Sequence, residues 1–241
     1  MAKLRTLKSR LQRELDFRTE KRGGARDGAG RKKKPGKSDP AHRARPELRS
    51  YHPVHVVMRV KKGVPRLRNG RAYRAVRRVL ARCLGNEAFR VCHVSIQRNH
   101  LHFLVEAKDR ESLSSGMQRL NILAARALNA QLGRKGTLFE FRYHATQIRS
   151  RKQARHALAY VLNNWRRHRE DEASQRAQTA KLDPYASGLS FDGWAAPPFD
   201  VPADYTPLPV SEPKTWLLRV GWRKHGLIDA FESPGPLARA E

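Results

Sequence analysis

The chain has 241 residues, enough for one large domain or for one domain with extensions. Its 50 Lys+Arg against 22 Asp+Glu leave a formal net charge of +28, which repels itself unless a polyanion neutralises it, so nucleic acid is the leading partner. Two cysteines, Cys83 and Cys92, make neither a disulfide framework nor a zinc spacing, and no apolar run approaches the ~20 residues of a membrane span, so a cytoplasmic protein without membrane attachment is expected.

Charge divides the chain into three. Residues 1–50 carry 17 basic and 6 acidic side chains, residues 51–169 carry 26 and 5, and residues 170–241 carry 7 and 11. The polyanion-binding surface therefore belongs to the first two segments. Residues 1–50 form a basic arm with no secretory signal, since no long apolar stretch follows the charged start. Leu4, Leu7, Leu11 and Leu15 predict a short basic helix over 4–17, and GGARDGAGRKKKPGK (23–37) reads as a disordered stretch. That stretch is either a tail tracking DNA or a solubilising leader.

A folded region starts at Tyr51. The Val-rich run HPVHVVMRV (52–60) predicts a strand. From Arg71 to Leu84, Tyr73, Val76, Leu80 and Cys83 recur at helical spacing. FRVCHVSIQ (89–97) and HLHFLVE (100–106) read as two strands joined by little more than Arg98-Asn99, a hairpin. Leu113, Met117, Leu120, Ala124, Ala127 and Leu128 predict an amphipathic helix over 111–132. Residues 137–148 read as a further strand or extended loop, and a last helix covers roughly 150–168. The order strand, helix, two strands, helix, strand, helix predicts an α+β fold, an antiparallel sheet with helices packed mainly on one face. Residues 170–241, rich in Pro and aromatics with a small element at 215–228, form a C-terminal extension that wraps over this core.

Asn99-His100-Leu101-His102 carries the chemistry. Residues two apart on a strand share a face, so His100 and His102 stand side by side, about 7 Å apart, while Leu101, Phe103 and Val105 face the other way. Two imidazoles on one face are a ready pair of metal ligands. In the last helix Ala154, Ala157, Leu158, Val161, Leu162 and Trp165 make an apolar stripe. Tyr160 lies on its flank, with Asn164 and Arg167 close to its line. Asn163 points away from the stripe, towards solvent. Setting that helix edge against the His pair gives a phosphodiester site: His100, His102 and the Asn164 oxygen hold a divalent cation, and Tyr160 attacks phosphorus.

NHLHFLVE, followed about 60 residues later by YVLNNW, resembles the single-tyrosine HUH transposases, including the REP-associated tyrosine transposases. The resemblance covers residues 50–168. It implies a ferredoxin-like core, usually a homodimer, acting on single-stranded or hairpin DNA with Mg2+ or Mn2+ through a phosphotyrosine intermediate. It gives the metal to His100, His102 and Asn164 and the nucleophile's part to Tyr160. Many relatives have proline directly after the ligand asparagine, where this chain has Trp165. The expected catalytic domain is thus 51–169, flanked by the arm and the extension.

The remaining cations and histidines have lesser expected roles. Arg142 beside His144, Arg167, and Arg74 and Arg78 in the run RLRNGRAYRAVRRVLAR (66–82) are candidate DNA contacts, the run also being readable as a solvated helix face. His93 could support a metal ligand and His156 could orient Tyr160. His52 and His55, three apart on an extended chain, point to opposite faces and read as structural. Two alternatives to the enzyme stand: a domesticated, non-catalytic DNA-binding protein of the same fold, and a basic RNA-binding protein.

Overall fold

Val54, Val56 and Met58 alternate with His55, Val57 and Arg59 along β1 (Val54–Arg59), so one side of this strand is wholly apolar. In the computed structural model, which describes residues 47–196, 205–233 and 235, that side faces the larger core. The helix expected at 4–17 and the stretch 23–37 lie outside the described residues.

β2 (Phe89–Ile96) and β3 (His100–Ala107) form the expected hairpin, with Ile96 opposite Leu101 and Ser95 opposite His102. β3 then pairs antiparallel with β1, Val57 opposite His102 and Arg59 opposite His100. The segment 137–148 resolves into β4 (His144–Gln147) on the outer edge of β1, preceded by a single bridge from Phe139 to Val60. The sheet order is β2-β3-β1-β4, that of a split βαβ arrangement, so the ferredoxin-like expectation holds.

α1 (Gly70–Ala81) starts where the Asn69 side chain accepts from Ala72 N at 2.9 Å, and α2 (Arg110–Gln131) where Asp109 accepts from Ser112 N at 2.7 Å. Both lay apolar stripes on the Val54, Val56, Leu101 and Phe103 face. The buried stripe of α1 is Ala72, Ala75, Val76, Val79 and Leu80; Tyr73 is half-buried at its flank and Cys83 lies past its end. Phe89 seats its ring against Gly116 of α2, where a Cβ would come within 2.2 Å of the ring.

α3 (Arg151–Arg167) lies on the opposite face. Ser150 and Gln153 cap it reciprocally, and Ala154, Ala157, Leu158, Val161, Leu162 and Trp165 are buried as the spacing predicts. It is long enough to cover the middle of the sheet yet leaves its own outer side bare. The C-terminal extension fills that side. Trp194, Leu217, Leu218, Trp222 and Ile228 form a second apolar cluster with α3 and with Cys92 and Leu104 of the strands. α4 (Gln175–Thr179) and α5 (Trp216–Arg219) are its short helices.

Polar clamps hold the extension. Glu106 accepts from Lys214 N and Thr215 N, both at 2.8 Å, at the start of α5, while Arg90 neutralises its charge at 2.7 Å. Arg68 grips Asp183 through two hydrogen bonds of 3.0 and 2.9 Å. This corrects the reading of 66–82 as one cationic helix: Arg66 and Arg68 precede α1, and the Arg68 side chain is buried in an ion pair.

Candidate active site

β3 sets four side chains in a row towards α3: His100, His102, Leu104 and Glu106. Leu104 packs in the second core and Glu106 anchors the extension, so the two histidines at the strand's beginning remain for other work. Their rings are 4.6 Å apart between centroids. Tyr160, on the edge of α3, stands edge-on to His102 at 5.4 Å. The phenol and the His pair therefore meet within one chain.

Three more groups complete the surroundings. His55 reaches in from β1, its Nε2 3.0 Å from His102 Nδ1, with the two rings stacked at 5.1 Å. It also stands edge-on to Tyr160 at 5.8 Å. His168, just past α3, lies 5.6 Å from His100, and the Arg167 guanidinium sits over the Tyr160 ring at 5.9 Å.

Burial keeps these imidazoles neutral. His55 is pushed down to about 3 by loss of solvent first and by the nearby His144 and His100 second. His100 falls to about 4, again mainly by burial, with His168 and Arg59 adding repulsion. His102 lies well below the ordinary histidine range, through burial and then its neighbours His55, His100 and His168. A neutral imidazole keeps a lone pair for a metal.

Two of the expected ligand side chains carry buried polar atoms without partners among the described residues. His102 Nε2 and both amide atoms of Asn164 are buried with no hydrogen-bond partner among the described residues. Buried polar atoms without partners are costly, about 1–3 kcal/mol each, unless something binds them. The Asn164 side chain is fully buried one turn beyond Tyr160. His100 Nδ1 is engaged by Asn99 Oδ1 at 2.7 Å, which leaves its Nε2 as the second bare nitrogen. Two imidazole nitrogens and an amide oxygen suit a divalent cation. No cluster of three or more His, Cys, Asp and Glu suited to a metal occurs among the described residues.

The other expected residues are dispersed. Arg142 is exposed just before β4, whose His144 lies opposite Val57 in the same cross-sheet row as His102. Arg74 and Arg78 are exposed on α1, beyond the sheet from Tyr160. His93 does not support the metal ligands. It stands opposite Leu104, while Ser95 takes the place opposite His102, and it is buried against Phe191 of the extension, 5.5 Å between centroids. Asn163 does not face solvent: residue 229 covers it, the Asn163 amide donating to Asp229 O at 2.8 Å. His55, read as structural, is the residue that sequence reasoning missed. The signal was present, since the apolar alternation of Val54, Val56 and Met58 puts His55 on the opposite side, the side of His102.

Residues 49–164 match the family profile described as "Transposase IS200 like", a span that runs from the approach to β1 to Asn164. A solved REP-associated tyrosine transposase bound to a REP hairpin superposes with a TM-score of 0.50, covering 73% of this chain and 99% of that one at 14% identity, a likeness of fold. No curated protein sequence gives a significant match.

Proposed function

Since the chain belongs, through residues 49–164, to the IS200-like transposase family, we propose that it nicks and rejoins single-stranded or hairpin DNA through Tyr160. The observation that carries this reading is the meeting of the Tyr160 ring with His102, 5.4 Å apart, on the polar face of one sheet.

His100, His102 and Asn164 are the residues that would hold Mg2+ or Mn2+, which when bound polarises the scissile phosphate and offsets charge on the leaving oxygen. The Tyr160 oxygen forms a bond to phosphorus while a phosphorus–sugar oxygen bond breaks. The phenol loses its proton, the leaving sugar hydroxyl gains one, and the DNA stays attached as a phosphotyrosine. Attack by a sugar hydroxyl on that link reverses the balance and joins strands. Arg167, over the phenol ring, places positive charge beside the developing phenolate. Arg142, exposed just before β4, and His168, 5.6 Å from His100, are the proposed contacts for backbone phosphate.

One chain brings the Tyr160 ring to His102, which supports a site assembled within a single subunit. Residues 51–169 carry the chemistry. No helix among the described residues is long and apolar enough to cross a membrane.

The test is a labelled single-stranded hairpin DNA incubated with the protein and Mn2+, then run on a denaturing gel. The expected result is a covalent adduct with the full chain, lost by on the order of 10³-fold or more in Tyr160→Phe, which still binds the hairpin. Adduct formation retained by Tyr160→Phe refutes the nucleophile. Binding with no cleavage by the full chain is the signature of the non-catalytic alternative, and tight binding to RNA alone that of the other.

A further inference from the structure

We propose that His55 is a positioning residue: it accepts a hydrogen bond from His102 and so holds that imidazole with its other nitrogen bare towards a divalent cation. The inference rests on the reading of His100, His102 and Asn164 as the cation's holders.

The argument begins with strand register. His55 on β1 lies opposite Leu104, and Val57 lies opposite His102, so His55 and His102 are diagonal neighbours on one face. Diagonal side chains of aromatic size can touch. Here they do, His55 Nε2 to His102 Nδ1 at 3.0 Å, with ring planes 13° apart. Both side chains are almost wholly buried, at 5% and 3% exposure, so water cannot substitute for either partner.

Two neutral imidazoles joined nitrogen to nitrogen share one proton, and only two arrangements exist. If His55 donates, His102 accepts at Nδ1 and must carry its own proton on Nε2. That leaves a buried N–H with no acceptor among the described residues, pointing a donor where a cation would sit. If His102 donates through Nδ1, its Nε2 keeps a lone pair, and the unpartnered atom becomes a vacant ligand. The second arrangement alone is compatible with metal binding.

The neighbouring histidine is built the same way. His100 Nδ1 meets Asn99 Oδ1 at 2.7 Å, an oxygen that only accepts, so His100 also donates through Nδ1. Asn99 and His55, from different parts of the chain, thus perform one task on two adjacent rings. His55 cannot itself be a ligand through Nε2, since that nitrogen is occupied by His102. It also walls one side of Tyr160, at 5.8 Å, so its ring orients both the ligand and the space of the nucleophile. Groups that hydrogen-bond a ligand histidine's second nitrogen fix its tautomer, and their loss typically costs 10–100-fold in metal affinity.

The experiment titrates Mn2+ alone into the full chain and into His55→Leu and His55→Gln, with free Mn2+ followed by electron paramagnetic resonance. The Gln Oε1 can accept where His55 Nε2 does, whereas Leu fills space without accepting. The expected result is an affinity about 10–100-fold weaker in His55→Leu, restored to within a few-fold of wild type in His55→Gln. Wild-type affinity in His55→Leu, or equal weakness in both variants, overturns the positioning role while leaving the His-pair reading intact. Absence of Mn2+ binding by the wild type overturns both. Should His55→Leu not fold, nitrogen NMR of metal-free wild type decides: a His102 proton on Nδ1 is expected, and one on Nε2 contradicts the proposal.

Discussion

The two faces of this sheet are made by alternate residues of the same strands, yet they differ in kind. On one, Val54, Val56, Met58, Leu101, Phe103 and Val105 meet α1 and α2 with every large side chain buried among apolar neighbours. On the other, His55 and His102 meet Tyr160, His100 meets His102, and polar atoms of His102 and Asn164 are left without partners among the described residues. The first face stabilises the fold; the second carries the proposed site, at a cost in stability that the first face and the extension offset. Strand alternation lets one short sequence, HLHFLV, serve both ends, because moving one residue along exchanges core for site.

Mutations on the two faces should therefore separate stability from activity. Phe103→Ala, which empties a ring from the apolar face, is expected to destabilise by about 3–5 kcal/mol in urea unfolding, while the remaining folded protein still binds Mn2+. A cost below about 1 kcal/mol would mean that this face is not the core described. His102→Ala should weight the two the other way: Mn2+ binding falls beyond detection, while the loss of stability, about 1–3 kcal/mol from leaving His55 Nε2 buried without its partner, stays below that of Phe103→Ala.

Glu106→Gln sharpens the comparison within one face, because Glu106 shares the row of the two histidines but anchors the extension. Weakening its charge-assisted bonds should cost about 1–3 kcal/mol. Hydrogen exchange is expected to quicken around Leu218 and Trp222 while α1 and α2 stay protected. Uniform quickening would show that the extension and the sheet unfold as one.

The pH dependence follows from the buried histidines. His55 at about 3 and His93 at about 4 stay neutral in the folded chain, whereas in the unfolded chain each charges near the ordinary value of 6.5. The unfolded state thus binds more protons below pH 6.5, so stability is complete above that value and is lost as pH falls towards 4. The expected slope is about 1.4 kcal/mol per pH unit for each such histidine, read as the urea midpoint against pH. A midpoint that does not move between pH 7 and 5 would place both imidazoles in water.

The smallest effect belongs to Arg74 and Arg78. Exposed on α1 and separated from Tyr160 by the sheet, they should leave adduct chemistry untouched when both are changed to Gln. If they touch DNA phosphates, the salt dependence of binding falls by a slope of about 1–2, and if they are only solvated it does not move.

Much of this arrangement was legible from residue patterns. The His pair announces itself because strand alternation is local, and α3 because its stripe and its Ser150–Gln153 cap are local too. The order of elements then allows few topologies. What escaped depends on contacts between distant segments. His55 joins His102 only through the β1–β3 register, 47 residues apart in sequence. Asn163 looks solvent-facing on a helical wheel until residue 229 covers it, and Arg68 looks like one more surface cation until Asp183 meets it. His93 shares the face of His102 but stands opposite Leu104, where Phe191 of the distant extension covers it.

The most direct measurement is peptide mapping by mass spectrometry of the protein–DNA adduct formed on a single-stranded hairpin with Mn2+. The account predicts that the oligonucleotide is attached through phosphate to Tyr160, and that the adduct vanishes when Mn2+ is chelated beforehand. Attachment at any other residue, or an adduct that forms equally well in chelator, would contradict it.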